Sequence, residues 1–198
     1  MKIHFECFEC GAKKTKERIE KSTKDENLKV KCAKEFLKLM GKEFKENVCP
    51  AYIGTLQVKM VKRMTKCKDP FKKDKFISRK KLEKFAKKIE NYIKGIKEEK
   101  KRFIEACKFS AIANVAEIMA PIKFGIKEEK DLSGSLAIDD SEKLYDIAKK
   151  AKRILFLTDN YAEAIFDLIF LKELRKITNG KLIIGSSKEP IDDDLTLN

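Results

Sequence analysis

The sequence predicts an α+β chain in which an all-helical N-terminal domain is followed by the start of a parallel α/β sheet that its two strands leave incomplete. Three observations predict this. Apolar residues recur at helical spacing from Glu6 to about Pro121, as in Leu82, Phe85, Ala86, Ile89, Ile93 and Ile96. Two short apolar runs, Arg153–Thr158 and Lys181–Gly185, flank a helical stretch, which is the order of a βαβ unit. Between the two patterns, residues 125–141 are rich in Gly, Ser and charge. The implied organisation is a helical domain over 1–130, a connecting segment with a short helix over 131–150, and a partial Rossmann-like α/β domain over 151–198.

Each element has its own signal. Core stripes run from Cys32 to Phe44 and from Ile53 to Met64, with breaks at Gly41, Cys49-Pro50 and Asp69-Pro70, because proline supplies no amide and pushes its predecessor toward extended backbone. Several antiparallel helices follow from this. Phe103–Met119 is apolar around much of its circumference and is expected to lie centrally. The least helical residues, Leu132–Ser135, mark a crossing between subdomains, and Glu142–Lys150 forms the short helix. The continuous apolar run from Arg153 reads as a strand buried on both faces. A helix from Asn160 to about Ile177 comes next, then Asn179-Gly180 as its C-cap and Lys181–Gly185 as a second, parallel strand.

Composition narrows the functional classes. The 46 Lys+Arg against 32 Asp+Glu give a net charge of +14, a balance that suits a phosphate backbone. The lysines, however, are interleaved with glutamates, as in Lys97-Glu98-Glu99-Lys100-Lys101, so solvated i,i+4 pairing explains most of them and nucleic acid is not the expected partner. Heavy Lys/Glu use without Trp fits a thermophile's surface. No apolar run approaches the roughly 18 residues of a membrane helix, and the N-terminus lacks a secretory pattern, so a cytoplasmic location is expected and no membrane partner. Among the six cysteines, Cys7 and Cys10 are spaced to share a soft metal or to act as a redox pair, and structural thiols are the third reading. A complete zinc site would have to recruit a further cysteine or the single histidine, His4.

Ligands of open parallel sheets bind beyond the carboxyl ends of the strands. There the first strand runs into Thr158-Asp159-Asn160-Tyr161-Ala162-Glu163, and the second into Ser186-Ser187-Lys188-Glu189-Pro190-Ile191-Asp192-Asp193-Asp194. If the strands are parallel neighbours, these acids share the sheet edge with Asp159. Oxygen ligands of that kind suit a hard divalent cation. The competing readings are a capping box made by Asn160 with Glu163 and a solvated acidic tail.

The stretch Phe156–Asp167 resembles the DNAGE-x-x-FD segment of the damage-control phosphatase family, whose members are acidic-residue-methyltransferase-like proteins. Five further segments agree in order. Cys7 and Cys10 are similar to the CxxC of the stand-alone prokaryotic members. Pro50–Gly54 with Asp69–Lys75 resemble P-a-y-i-g and DPY-x-x-x-K. Ala111–Glu117 resembles AIAGNxID, and Pro190–Thr196 resembles PIINDAT. The resemblance implies that Asp159, Asn160 and Asp194 hold a divalent metal (Mn, Mg, Co or Ni) and carry catalysis, with Glu163 and Asn114 facing substrate or water. The implied activity is hydrolysis of phosphate monoesters of small damaged or misplaced phosphometabolites. Ala162, Ala113 and Glu117 replace the family's glycine, glycine and aspartate. The family also continues to a Lys-Gly-x-Gly-Asn-x-Glu segment, whereas this sequence ends at Asn198. Exposed strand edges and bare apolar faces are therefore expected, with weak or no activity alone and a separately encoded C-terminal half as a possible partner. The alternative is a degenerate, non-catalytic interaction module.

Overall fold

The computed structural model describes residues 2–118 and 136–196. Seven helices and two strands are found among them, grouped in two compact units. Met119, Pro121 and the Leu132–Ser135 crossing lie outside the described residues.

The first unit comprises residues 1–73 and 189–193. Its helices are α1 (Glu6–Ser22), α2 (Glu26–Glu43) and α3 (Pro50–Thr65). The break before α2 is made by Asp25, whose carboxylate accepts the amides of Asn27 and Leu28 at 2.9 and 3.2 Å, a cap worth about 1 kcal/mol. Proline opens α3 at Pro50, where a missing amide is harmless. The predicted stripes meet in one core of Ile19, Cys32, Phe36, Met40, Ile53, Met60 and Val61.

The second unit comprises residues 74–188 and 194–198. It holds nearly all of α4 (Lys72–Gly95), then α5 (Glu99–Ile118), α6 (Ser141–Lys150), β1 (Arg153–Leu157), α7 (Glu163–Ile177) and β2 (Lys181–Gly185). The strands pair in parallel, from Arg153 with Lys181 to Leu157 with Gly185. As expected, α5 is central: Phe103, fully buried, packs its ring 5.3 Å from Tyr145 and 5.2 Å from Phe170. Ile89 and Ile93 of α4 join Phe109, Phe166 and Leu174 in the same core. Because α4 and α5 bury their apolar faces in the core that α7 builds, they belong with the sheet. The compact units therefore divide elsewhere than at residues 130 and 150.

Two local expectations are corrected. β1 is not buried on both faces. Ile154 and Phe156 pack on the core, but Leu155 and Leu157 are 61% and 71% exposed, because the helices among the described residues cover one face of the two-stranded sheet. The uncovered apolar face and the incomplete sheet are what the sequence predicts of the domain as a whole. Asn179-Gly180 does not cap α7 either; Thr178 does, in extended backbone. Gly180 is required by crowding, since a Cβ there would stand 2.2 Å from the Ala151 carbonyl oxygen.

The lysines behave as predicted where the pairs are resolved. Lys16–Glu20, Lys21–Glu17 and Lys94–Glu90 are i,i+4 ion pairs, each worth a few tenths of a kcal/mol. No helix among the described residues is long and apolar enough to cross a membrane. Phe103→Ala is expected to cost about 3–5 kcal/mol by urea denaturation, while Leu157→Lys should change stability by less than about 0.5 kcal/mol. A comparable loss from both would mean that the sheet face is covered.

Candidate functional site

The carboxyl ends of β1 and β2 are tied together by short-range chemistry. The Thr158 amide and hydroxyl both donate to the Gly185 carbonyl, at 2.9 and 3.2 Å. The chain beyond β2 then returns. Asp194 pairs with Asn160 in an antiparallel bridge, Thr196 bridges Ser187, and the Leu195 amide donates to the Asp159 carbonyl at 2.9 Å. Two stretches far apart in sequence are thereby brought to one edge. The Asp194 carboxylate accepts the Ser187 hydroxyl at 2.6 Å, and Asp159 is exposed to solvent. Of the three successive acids only Asp194 joins this edge. Asp192 and Asp193 fall in the helical unit, where Arg18 grips the Asp192 carboxylate.

Asn160 and Glu163 are both buried. The amide oxygen of Asn160 accepts the backbone amides of Ala162 and Glu163 at 3.0 and 2.9 Å, and its amide nitrogen donates to the Glu163 carboxylate at 2.7 Å. This is the capping arrangement, with the reciprocal bond made to the side-chain amide instead of the backbone one. Both lone pairs of the Asn160 oxygen are therefore engaged with the N-terminus of α7.

One turn further along α7, the buried Asp167 accepts the Ser110 hydroxyl of α5 at 2.5 Å. Burial pushes the Asp167 carboxyl above the ordinary value, the Ser110 bond pulls it back, and the charge of Asp159 adds to the rise. Asn114 lies one turn beyond Ser110 on α5, though its side chain is not described. At the rim, Arg79 of α4 donates to the Tyr161 hydroxyl at 3.1 Å and pairs with Glu83 at 3.0 Å. Sequence spacing assigned no role to Ser110, Asp167, Arg79 or Tyr161. The signals for Asp167 were its position one turn after Glu163 and its place at the end of the DNAGE-x-x-FD resemblance.

Cys7 and Cys10 sit in the first turns of α1, with Cys10 exposed, and line a cavity of about 150 Å³ together with Met40, Phe44 and Ile53. All six cysteines are free thiols. Among the described residues, no three His, Cys, Asp or Glu side chains converge at metal-binding distance. At the sheet edge the oxygen donors are two carboxylates and an amide. That set fits a hard divalent cation that keeps several waters, provided the amide oxygen is released from its cap.

Fold and edge together define a helical protein with a small parallel sheet and carboxylates at the carboxyl ends of its two strands. Residues 3–198 match the damage-control phosphatase ARMT1-like domain, and the chain belongs to that family. It is 32% identical over 200 residues to the damage-control phosphatase PH1575 of Pyrococcus horikoshii, and 28% identical over 203 residues to the uncharacterized protein MJ0202 of Methanocaldococcus jannaschii. These alignments cover all of this chain and 68% and 66% of the relatives, so the chain spans about two thirds of their length. The crystal structure of PH1575, described as a DUF89 family protein, superposes with a TM-score of 0.83 over 99% of this chain and 68% of that one.

The Asp167 proton is held more tightly in the folded protein than in the unfolded chain. Its contribution to stability is therefore complete below the ordinary pKa of about 3.9 and is lost as pH rises through the raised folded value. Asp167→Asn, which keeps an acceptor for Ser110, is expected to match or exceed wild-type stability at neutral pH and to flatten that slope. Denaturant titrations at several pH values measure this, and a variant that is weaker at neutral pH contradicts the burial argument.

Proposed function

We propose that this chain is a divalent-metal-dependent hydrolase of phosphate monoesters borne by small phosphometabolites, slow on its own. The observation that carries the reading is the Asn160–Asp194 bridge, which sets Asp194 beside the segment that holds Asp159. The name of PH1575 as a damage-control phosphatase supports the reaction class.

In this reading Asp159 and Asp194 supply carboxylate oxygens to the cation, and Asn160 adds its amide oxygen by giving up one capping bond. A bound Mn²⁺, Mg²⁺, Co²⁺ or Ni²⁺ ion supplies Lewis-acid stabilisation of phosphoryl charge and a water of lowered pKa. Glu163 holds the Asn160 amide in its rotamer through the 2.7 Å bond. The family resemblance gives Asn114, on the helix that carries Ser110, the role of facing substrate or water. The setting for such small phosphorylated substrates is the cytoplasm.

Slow turnover follows from the bare sheet. Parallel sheets are normally covered on both faces, and here Leu155 and Leu157 face water. In this reading the third of the relatives' length that the match does not span covers that face, and a separately encoded chain is one source for it. A second reading, an interaction module without turnover, is favoured by the full commitment of the Asn160 oxygen to α7.

Calorimetric titration with Mn²⁺, followed by assay on p-nitrophenyl phosphate, separates the two. We expect Asp159→Ala and Asp194→Ala each to weaken Mn²⁺ binding by roughly tenfold or more, the scale of a lost ligand interaction. Turnover should be weak and should rise when the last third of PH1575 is supplied as a separate chain. Metal affinity indifferent to both aspartates would leave only the interaction module.

A further inference from the structure

Cys7 and Cys10 lie within the helical unit, and so does every other residue around their cavity. They stand three residues apart on α1, so helical geometry puts their Cα atoms about 5 Å apart, inside the roughly 4.4–6.8 Å that a disulfide bridges. Regular helix keeps the Cβ atoms of such a pair about 5–6 Å apart, whereas a disulfide needs about 4 Å. The start of α1 is already wound toward the closer spacing. The Cys7 amide donates to the His4 carbonyl and the Phe8 amide to the Phe5 carbonyl, each at 3.0 Å. These are bonds of the 3₁₀ kind, a winding in which side chains three apart eclipse. Carrying it on to Cys10 brings the two sulfurs together.

Access and surroundings separate this pair from the other thiols. Cys10 is exposed and Cys7 half-buried, and the His4 amide donates to the Cys7 sulfur at 3.4 Å. Cys32 is fully buried, and burial pushes the Cys107 thiol up to about 11, which makes both inert. Gln57 lines the cavity at 2% exposure, and its amide nitrogen donates to the Met40 sulfur at 3.4 Å, a weak acceptor that a carbonyl or carboxylate would displace. Lys14, one turn after Cys10, adds a cation to the cavity wall. Among the described residues no third His, Cys, Asp or Glu joins the two thiols at metal-binding distance, and two ligands fall short of a structural zinc site.

We propose that Cys7 and Cys10 are a reversible dithiol–disulfide pair, and that the cavity beside them admits the oxidant, a small disulfide bearing carbonyl or carboxylate groups. The Cys10 thiolate attacks one sulfur of that disulfide, forming a mixed disulfide and releasing one thiolate. The Cys7 thiolate then attacks the Cys10 sulfur and expels the second. Two protons leave the protein, and the small disulfide takes up two electrons and ends as two thiols. The exchange uses no divalent metal, so it stands or falls apart from the hydrolase reading.

Intact mass and peptide mapping of the full chain, after equilibration at graded ratios of glutathione disulfide to glutathione, measure this. Wild type is expected to lose two hydrogens per chain, with the new bond mapped to Cys7 and Cys10, and to regain them in dithiothreitol. Cys7→Ser should stop at a glutathionyl adduct on Cys10. Cys10→Ser should react roughly tenfold more slowly than Cys7→Ser, because only the half-buried thiol of the pair is left. Cys49→Ser, which removes the exposed thiol at the start of α3, should behave as wild type. Neither Cys7 nor Cys10 belongs to the buried core of the unit, so both variants are expected to fold. The proposal is overturned by a wild type that stays reduced in excess glutathione disulfide, by an adduct that persists on wild-type Cys10, or by a bond to Cys49. Zinc retained by reduced wild type through desalting and lost in Cys10→Ser overturns it as well, in favour of a soft-metal site.

Discussion

The backbone pairing of Asn160 with Asp194, reinforced by the Leu195 amide on the Asp159 carbonyl, is the constraint on which the carboxyl edge of the sheet depends. Two parallel strands of five residues each make a weak sheet alone, since isolated strand pairs are marginal in water. They persist because α7 buries one face of the pair and because the chain beyond β2 returns to bond the exit of β1. The Ser187 hydroxyl on Asp194 adds a side-chain tie to the same return. Sever the bridge and two acids thirty-odd residues apart in sequence have no reason to meet.

That bridge could not be read from spacing, though most of what leads up to it could. The apolar runs at Arg153 and Lys181 announced the strands, and the 22 residues between them (159–180) announced a crossover helix, because parallel strands need a connection of about a dozen residues or more. Helical periodicity placed the core stripes of α2, α3 and α4 with few errors, since each buries one face against its neighbours. What failed was inference about coverage. A continuous apolar run looks the same whether both faces are buried or one is merely awaiting cover, and Leu155 and Leu157 belong to the second case. Gly180 was misread for a related reason: the sequence shows that the position wants no side chain, but not whether dihedral freedom or the approach of Ala151 demands it. Among the site residues, Asp159, Asn160 and Glu163 were legible as a cluster because they are contiguous. The partnership of Arg18 with Asp192 and of Ser110 with Asp167 depends on tertiary packing and carries no local signature.

Electrostatics at the edge run against the chain's basic surplus. Asp167 is buried on α7, and the Asp159 charge makes its ionisation harder still. The neighbouring Glu163 and Asp194 add carboxyl groups to the same unit. A carboxyl held in the protonated direction by burial and like charge is a local conflict of the kind that marks functional positions more often than structural ones. Under the proposed reading, a cation at the edge would relieve the repulsion between Asp159 and Asp167 while leaving the Ser110 bond in place.

Asn160 is where the two readings of this edge compete for a single atom. As a cap, its oxygen satisfies two amides of α7 that would otherwise be orphaned at a buried helix start. Replacing such a cap costs about 1 kcal/mol. Under the proposed reading, a cation bonding the same oxygen has to offset the loss of one of those two amide bonds, a demand shared with its contacts to the Asp159 and Asp194 carboxylates. Capping and ligation are therefore not exclusive. The cap orients the amide, Glu163 prevents it from flipping by holding the nitrogen, and the oxygen stays turned toward the helix start until a stronger partner arrives. Under the proposed reading an asparagine suits both tasks where aspartate would not, because only the amide has a nitrogen to donate to Glu163, and a second carboxylate in its place would face the Glu163 charge across 2.7 Å.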